Sequence, residues 1–334
     1  MSRSLRNLAT QGLTLGLAGL LLYFALRGVN WSEMAHAFQA AHWEWLIPIA
    51  ITVTFSHVVR AFRWVLFSRD LASTDGRTLG LSDAFWITMM GYGANYIVPR
   101  SGEILRGVRA SQRTGLPFSA LMGTIVAERV LDVLCLALLL LVVGAVEFDR
   151  LEPLLALVSI PSVNSTTLLF AGVTALVISG GAIHWGLSRM RDSESRIGAL
   201  LLAFRSGLAT VTHSSRPGAV WGSTLIMWLA YVVMTWLPFV MFGHTDAYGV
   251  GLYDGMVLMA IGALGIVIPS PGGVGSYHFI AIQSLVLLYA FSDSDAAAYA
   301  IFSHGAQLVL YVALAVVGML LVGLPRKDQT TKDA

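Results

Sequence analysis

The sequence predicts an all-α polytopic membrane protein with six full transmembrane helices and two re-entrant broken-helix hairpins, arranged as an inverted repeat. Three observations carry that expectation. The chain has 334 residues, 56% of them hydrophobic and only 12% charged, with a mean hydropathy of +0.72. A soluble domain carries about 25% charged residues. Several apolar stretches reach the roughly 20 residues needed to cross the hydrocarbon as a helix. Two further apolar stretches are interrupted by proline and glycine, where a spanning helix must stay continuous. The same composition excludes an ordinary cytosolic enzyme and a disordered protein. A formal net charge of +2 with dispersed basic residues excludes a nucleic-acid binder. Cys135 is the single cysteine, so no disulfide framework and no cysteine-built zinc or iron–sulfur centre can form.

The first span is Asn7 to Leu26, preceded by Arg3 and Arg6. It resembles a signal peptide but is long and ends in bulky residues without a small-x-small cleavage site, so it is read as retained. Trp31 to Trp43 sets Trp31, Phe38 and Trp43 among polar residues, the pattern of a segment lying along the outer interface. The remaining full spans are Trp45–Phe67, Pro117–Val146, Thr166–Trp185, Gly218–Phe242 and Ala296–Gly323. Between the fourth and fifth, Ser188–Arg216 reads as an amphipathic cytoplasmic connector, with Ile197, Leu200, Leu201, Phe204 and Leu208 at helical spacing. Residues 1–324 form one transmembrane domain, and Pro325–Ala334 a short polar tail.

The broken segments are Leu79–Val98, stopped by Pro99-Arg100-Ser101-Gly102-Glu103, and Tyr253–Ile268, stopped by Pro269-Ser270-Pro271-Gly272-Gly273-Val274-Gly275. Proline removes a backbone donor and glycine permits turns. Each break is followed by a helical stretch too short to cross alone, roughly Glu103–Gln112 and Tyr277–Phe291. The segments also look like copies of one another. Leu81-Ser82-Asp83-Ala84 opens the first and Leu252-Tyr253-Asp254-Gly255 the second, each followed by Met and small residues. Asp83 and Asp254 are expected to cap their half-helices. Three full spans separate the segments, so they enter from opposite sides, the arrangement of inverted-repeat transporters with a site where the breaks meet. Seventeen of the 21 lysines and arginines fall at predicted cytoplasmic ends, which puts both termini inside.

Ionisable residues at membrane depth are functional candidates by default. Here they are Arg60, Arg63, Arg100, Glu103, Glu128, Arg129 and Asp132. Glu128 and Asp132 stand i,i+4, so one helix face carries two carboxylates with Arg129 at its edge. Arg60 and Arg63 stand i,i+3, close enough for two guanidinium groups to engage one phosphate. After Gly102, and after Gly272, Gly273 and Gly275, the half-helices begin with free N–H groups and partial positive charge, which suits phosphate or carboxylate. The alternative for the charged group is a salt-bridge network that holds the helices in register. Asn95 either donates into a cavity or caps a turn. His57, His278 and His304 lie at membrane depth without tight ligand spacing, and packing or a hydrogen bond suits them better than a metal. His278, just after the second break, is the best placed.

Taken in order, Arg60-x-x-Arg63-Trp64, Pro99-Arg100-x-Gly102-Glu103 with Arg106, Glu128-Arg129-x-x-Asp132 and Pro269-x-Pro271-Gly272-Gly273-Val274-Gly275 resemble the membrane region of the lysylphosphatidylglycerol synthase/flippase family and its stand-alone flippase-like relatives. The resemblance covers roughly residues 1–324. It implies translocation of a lipid between leaflets of the bacterial cytoplasmic (inner) membrane, with the re-entrant hairpins forming the pocket. Synthase relatives carry a soluble aminoacyl-transferase domain after this region, whereas only Pro325–Ala334 follow here, so aminoacyl transfer is not expected.

The expected cargo is an anionic, zwitterionic or polyprenyl-phosphate-linked lipid, with no cofactor, metal or nucleic acid. Candidate protein partners are a lipid-synthesising enzyme and a second copy of the chain. The expected substrate-binding residues are Arg60, Arg63, Asn95, Arg100, Gly102, Glu103, Glu128, Arg129, Asp132, Pro269, Gly272, Gly273, Gly275 and His278. The competing function is a membrane enzyme or accessory subunit acting on a lipid phosphate or glycolipid, with Glu128 and Asp132 as metal ligands or acid and base. No nucleophile with a neighbouring base accompanies them.

Overall fold

The computed structural model describes residues 3–71, 77–98, 100–148, 150–151, 214–267 and 271–322, with isolated positions 174 and 209. The expected fourth span, nearly all of the amphipathic connector and the tail lie outside them. Every regular element among the described residues is helical. They are α1 (Arg3–Leu26), α2 (Trp31–Ala40), α3 (Leu46–Arg69), α4 (Leu81–Ile97), α5 (Ser101–Thr114), α6 (Phe118–Val146), α7 (Pro217–Met241), α8 (His244–Tyr248), α9 (Leu252–Val267), α10 (Ser276–Tyr289) and α11 (Asp293–Val322). Single 3-10 turns sit at Trp43–Trp45 and Pro271–Gly273.

Among the described residues four stretches are long and apolar enough to cross a membrane: Trp43–Arg69, Phe118–Val146, Pro217–Met241 and Asp293–Val322. Their outward faces are apolar too. Val133, Leu138, Leu225, Leu229, Val309 and Leu320 are all exposed, a continuous greasy surface of the kind that marks contact with lipid rather than water.

Contacts between helix ends give the bundle two poles. At one pole the Arg113 guanidinium, near the end of α5, donates to the Val322 carbonyl at the end of α11 (3.1 Å). There too the Ser215 hydroxyl, before α7, donates to Asp70 after α3 (2.7 Å). Leu79, Leu116 and Val322 share one core cluster at the same pole. At the other pole the Tyr253 hydroxyl of α9 donates to Glu147 beyond α6 (2.8 Å). Arg150 reaches the Leu288 carbonyl of α10 (3.4 Å), and Asn30 N–H bonds Ser294 Oγ (3.1 Å). The α4/α5 pair therefore starts and finishes at the first pole, and the α9/α10 pair at the second.

Each broken pair sits in its own core. Trp64, Ile87, Met89, Met90, Leu121 and Ile125 join α3, α4 and α6 around the first. Phe239, Leu258, Ala281, Ile282, Leu285 and Tyr299 join α7 and α11 to the second. Between helices surrounded by lipid, association depends on close packing, and small residues permit it. Gly318 of α11 lies against the Trp86 carbonyl of α4, and Gly93 of α4 against Ala315.

The capping of the broken pairs differs from expectation. Gly80, not Asp83, is the N-cap of α4, and no side chain caps it. Asp254 stands in the first turn of α9 and accepts the Gly251 N–H (2.8 Å). Both aspartates fall in the first turn, where a carboxylate favours the positive end of the helix dipole without being the cap. The half-helices also begin earlier than predicted, at Ser101 and Ser276. Arg100 makes the first turn itself, at φ 65°, a left-handed conformation that costs roughly 1–2 kcal/mol for a residue other than glycine.

Candidate functional site

The long apolar helix α6 carries Glu128, Arg129 and Asp132 into the interior, and the structure sends the three in different directions. Glu128, fully buried, pairs with Arg106 of α5 (2.8 Å). Asp132 accepts from Arg63 Nη2 (2.7 Å) and lies 3.0 Å from Arg60 Nη2, both on α3. Arg129 pairs with Glu103 of α5 at 3.3 Å, and these two side chains are 41% and 25% exposed. The Arg60–Arg63 spacing does bring two guanidinium groups onto one acidic group, and in this structure that group is Asp132. The two carboxylates expected to share a face hold different helices: Glu128 ties α6 to α5, and Asp132 ties α6 to α3.

Neutral groups complete the network. Arg60 also donates to the Tyr231 hydroxyl of α7 (2.8 Å), and Arg63 to Thr224 (3.3 Å). The Arg106 guanidinium lies 4.2 Å from the centre of the Trp64 ring, an arrangement in which the ring face attracts the cation. Trp64 Nε1 in turn donates to Thr124 of α6 (3.0 Å).

Asn95 acts as a cap through its side-chain oxygen. Its Oδ1 accepts the Gly102 N–H at 2.7 Å, so a side chain on α4 satisfies one of the open donors at the start of α5. Gly102 is required by the approach: a Cβ there would run into the Gly91 carbonyl and lie 2.8 Å from Asn95 Oδ1. Around this point a small cleft opens, lined by Thr88, Gly91, Tyr92, Asn95, Gly102, Glu103, Arg106 and Arg129. Thr88 Oγ1, Glu103 Oε2 and Arg106 Nε are buried and have no hydrogen-bond partner among the described residues. The cleft thus carries spare polar capacity.

Of the predicted residues, Asn95, Gly102, Glu103 and Arg129 share this cleft. Glu128 stands behind it through Arg106, and Arg60, Arg63 and Asp132 form the adjoining triad. Arg100 is exposed at the break and forms no ion pair among the described residues. Gly272, Gly273, Gly275 and His278 belong to the second break, and Pro269 lies outside the described residues. The breaks touch through Tyr96 at the end of α4, whose ring covers Gly272 so closely that a Cβ there would lie 2.7 Å from it. Sequence spacing missed Tyr231 and Thr224, which are remote in the chain and carry no pattern. Arg106 had a signal, standing i,i+3 from Glu103. His57 is buried between the Tyr92 and Tyr311 rings, at 4.8 and 4.9 Å. Among the described residues no group of three or more His, Cys, Asp or Glu side chains could hold a metal ion.

Long apolar helices enclosing a polar, ion-paired interior define a multi-pass helical membrane protein. Residues 12–315 match the family model of the lysylphosphatidylglycerol synthase TM region, and the chain belongs to that family. Comparison with curated proteins and with solved structures gave no match. Family membership links the protein to lipid handling.

Proposed function

We propose that the protein moves an anionic, zwitterionic or polyprenyl-phosphate-linked lipid between the leaflets of the bacterial cytoplasmic membrane, without changing it chemically. The observation that carries this reading is a charge imbalance. Among the described residues of this network four guanidinium groups, on Arg60, Arg63, Arg106 and Arg129, meet three carboxylates, on Glu103, Glu128 and Asp132. The surplus positive charge lies where Arg60 and Arg63 share Asp132, and an arriving anionic headgroup would offset it. Arg129 is the cation most open to that headgroup, since its pair with Glu103 is the longest and most exposed of the set. The buried pairs behind it keep α3, α5 and α6 in place.

In this reading residues 1–324 act as one transmembrane unit with six full spans and both termini in the cytoplasm, followed by the tail at 325–334. The α4/α5 and α9/α10 pairs are re-entrant hairpins of an inverted repeat, which rock about their contact to expose the cleft to either side. A lipid-synthesising enzyme or a second copy of the chain would be the protein partner.

The test is leaflet accessibility of labelled lipids of several headgroups in proteoliposomes, with native protein beside Arg129→Gln. Headgroup-selective movement that the variant loses, while remaining folded, supports the proposal. If the folded native protein moves none of the lipids, the transport reading fails.

A further inference from the structure

The first break is capped by an amide that cannot titrate, Asn95. The second is capped by an imidazole. His278, in the first turn of α10, accepts the Gly275 N–H on Nδ1 at 3.4 Å. A ring nitrogen can accept only while it is unprotonated, so this cap exists only with His278 neutral. The His278 ring stacks on that of His304 from α11, with centroids 4.9 Å apart and planes at 25°. His304 lies beside the backbone of Gly272, in the same break. Its Nδ1 is buried and has no hydrogen-bond partner among the described residues.

The surrounding side chains among the described residues are uncharged. Tyr277 of α10 places its ring 5.3 Å from that of His304, Tyr299 of α11 lies close to Tyr277, and Tyr96 of α4 covers Gly272. The helices α1 and α9 meet this region through Ala18, Gly262 and Gly265, which carry no titratable group. Among the described residues neither imidazole forms an ion pair.

We propose that His278 and His304 form a proton-binding site at the second break, and that proton uptake there unlocks the break and accelerates lipid movement. One proton occupies the pair, because two imidazolium rings stacked at this distance repel each other. On His278 it takes Nδ1 and turns the acceptor of the Gly275 N–H into a donor, while the neutral His304 ring stays stacked against the cation. α10 then loses its cap, and the Pro271–Gly275 turn is freed against Tyr96. The inference rests on the transport reading for its consequence, but the site itself can be read without transport.

The first measurement is hydrogen exchange of the peptide spanning residues 271–279 in the purified native protein, between pH 8 and pH 3.5, corrected for intrinsic exchange. Acidification should raise exchange at the Gly275 amide about fivefold, the loss of one ordinary hydrogen bond. The variant His278→Asn with His304→Gln, which keeps an acceptor at the cap but cannot titrate, should show no such rise. The second measurement is lipid movement against pH. The native rate should climb on acidification, and the rate of the double variant, whatever its level, should not vary with pH. Protection that is independent of pH in the native protein overturns the proton site, whatever the transport result. A pH-dependent cap in a protein that moves no lipid leaves the site standing and removes the transport reading. A climb in rate that the folded double variant retains overturns the link between the pair and movement.

Discussion

Asn95 Oδ1 and Gly102 N lie 2.7 Å apart, which makes the end of one helix the cap of the next across the Pro99–Arg100 break. Capping usually comes from a residue adjacent in sequence. Here it comes from seven residues upstream, because the chain folds back sharply enough for the Gly91 carbonyl to face Gly102. The capping bond and the close approach require one another.

Asn95→Ala should therefore lower stability by about 1 kcal/mol, the ordinary worth of an N-cap. Asn95→Asp, which keeps the acceptor beside a positive helix end, should restore most of it. Thermal unfolding in detergent reads both, and an unchanged midpoint in the alanine variant would remove the cap from this account.

Gly102→Ala should be worse than the loss of the cap. The added methyl collides with the Gly91 carbonyl, which is backbone and cannot swing aside, so the helices must separate. Overpacking of this kind costs roughly 1–3 kcal/mol. Gly218→Ala, with nothing within 4 Å of the new methyl, serves as the neutral control in the same unfolding assay.

Glu128→Gln should destabilise strongly, by about 3–5 kcal/mol, because it leaves the buried Arg106 without its counter-charge. Replacing both partners, as Glu128→Leu with Arg106→Met, should recover most of that loss. A double variant no better than the single one would show that the pair does more than compensate charge.

Glu103→Gln should behave differently despite breaking a pair of the same type. The Glu103–Arg129 pair is partly exposed and worth about 0–1 kcal/mol, so the midpoint should barely move. The freed Arg129 should bind an anionic headgroup more tightly, read as a lower half-saturating lipid fraction in the leaflet assay. A large fall in stability would instead make this pair structural.

Asp132→Asn should leave Arg60 and Arg63 facing each other across a neutral amide. We expect a loss of several kcal/mol, partly relieved by adding Arg63→Gln. Titrating the melting temperature of both variants with salt checks the cause, since mutual repulsion eases as ions screen it to the extent that they can reach the site.

Much of this architecture was legible because apolar length and breaker residues act locally. The α6 range is set by a long, mostly apolar run without proline, and the two breaks by the Pro99–Gly102 and Pro269–Gly275 stretches. The charged site residues stood out because charge is costly in such surroundings. Which carboxylate meets which arginine was not legible. The i,i+3 and i,i+4 rules describe one helix face, and each of these pairs joins two different helices whose relative rotation the spacing does not encode. Capping failed for a related reason: Asp83 and Asp254 have the composition of caps, but glycines ahead of them had already begun the turn.

Tyr96 and Gly272 have a mechanical consequence. The ring at the end of one broken segment rests on bare backbone at the tip of the other, with no room for a side chain between them. Neither tip can swing toward its partner without displacing it. If the protein transports lipid as proposed, the two halves would work like the arms of a seesaw on this pivot, and a bulkier residue at position 272 would jam it.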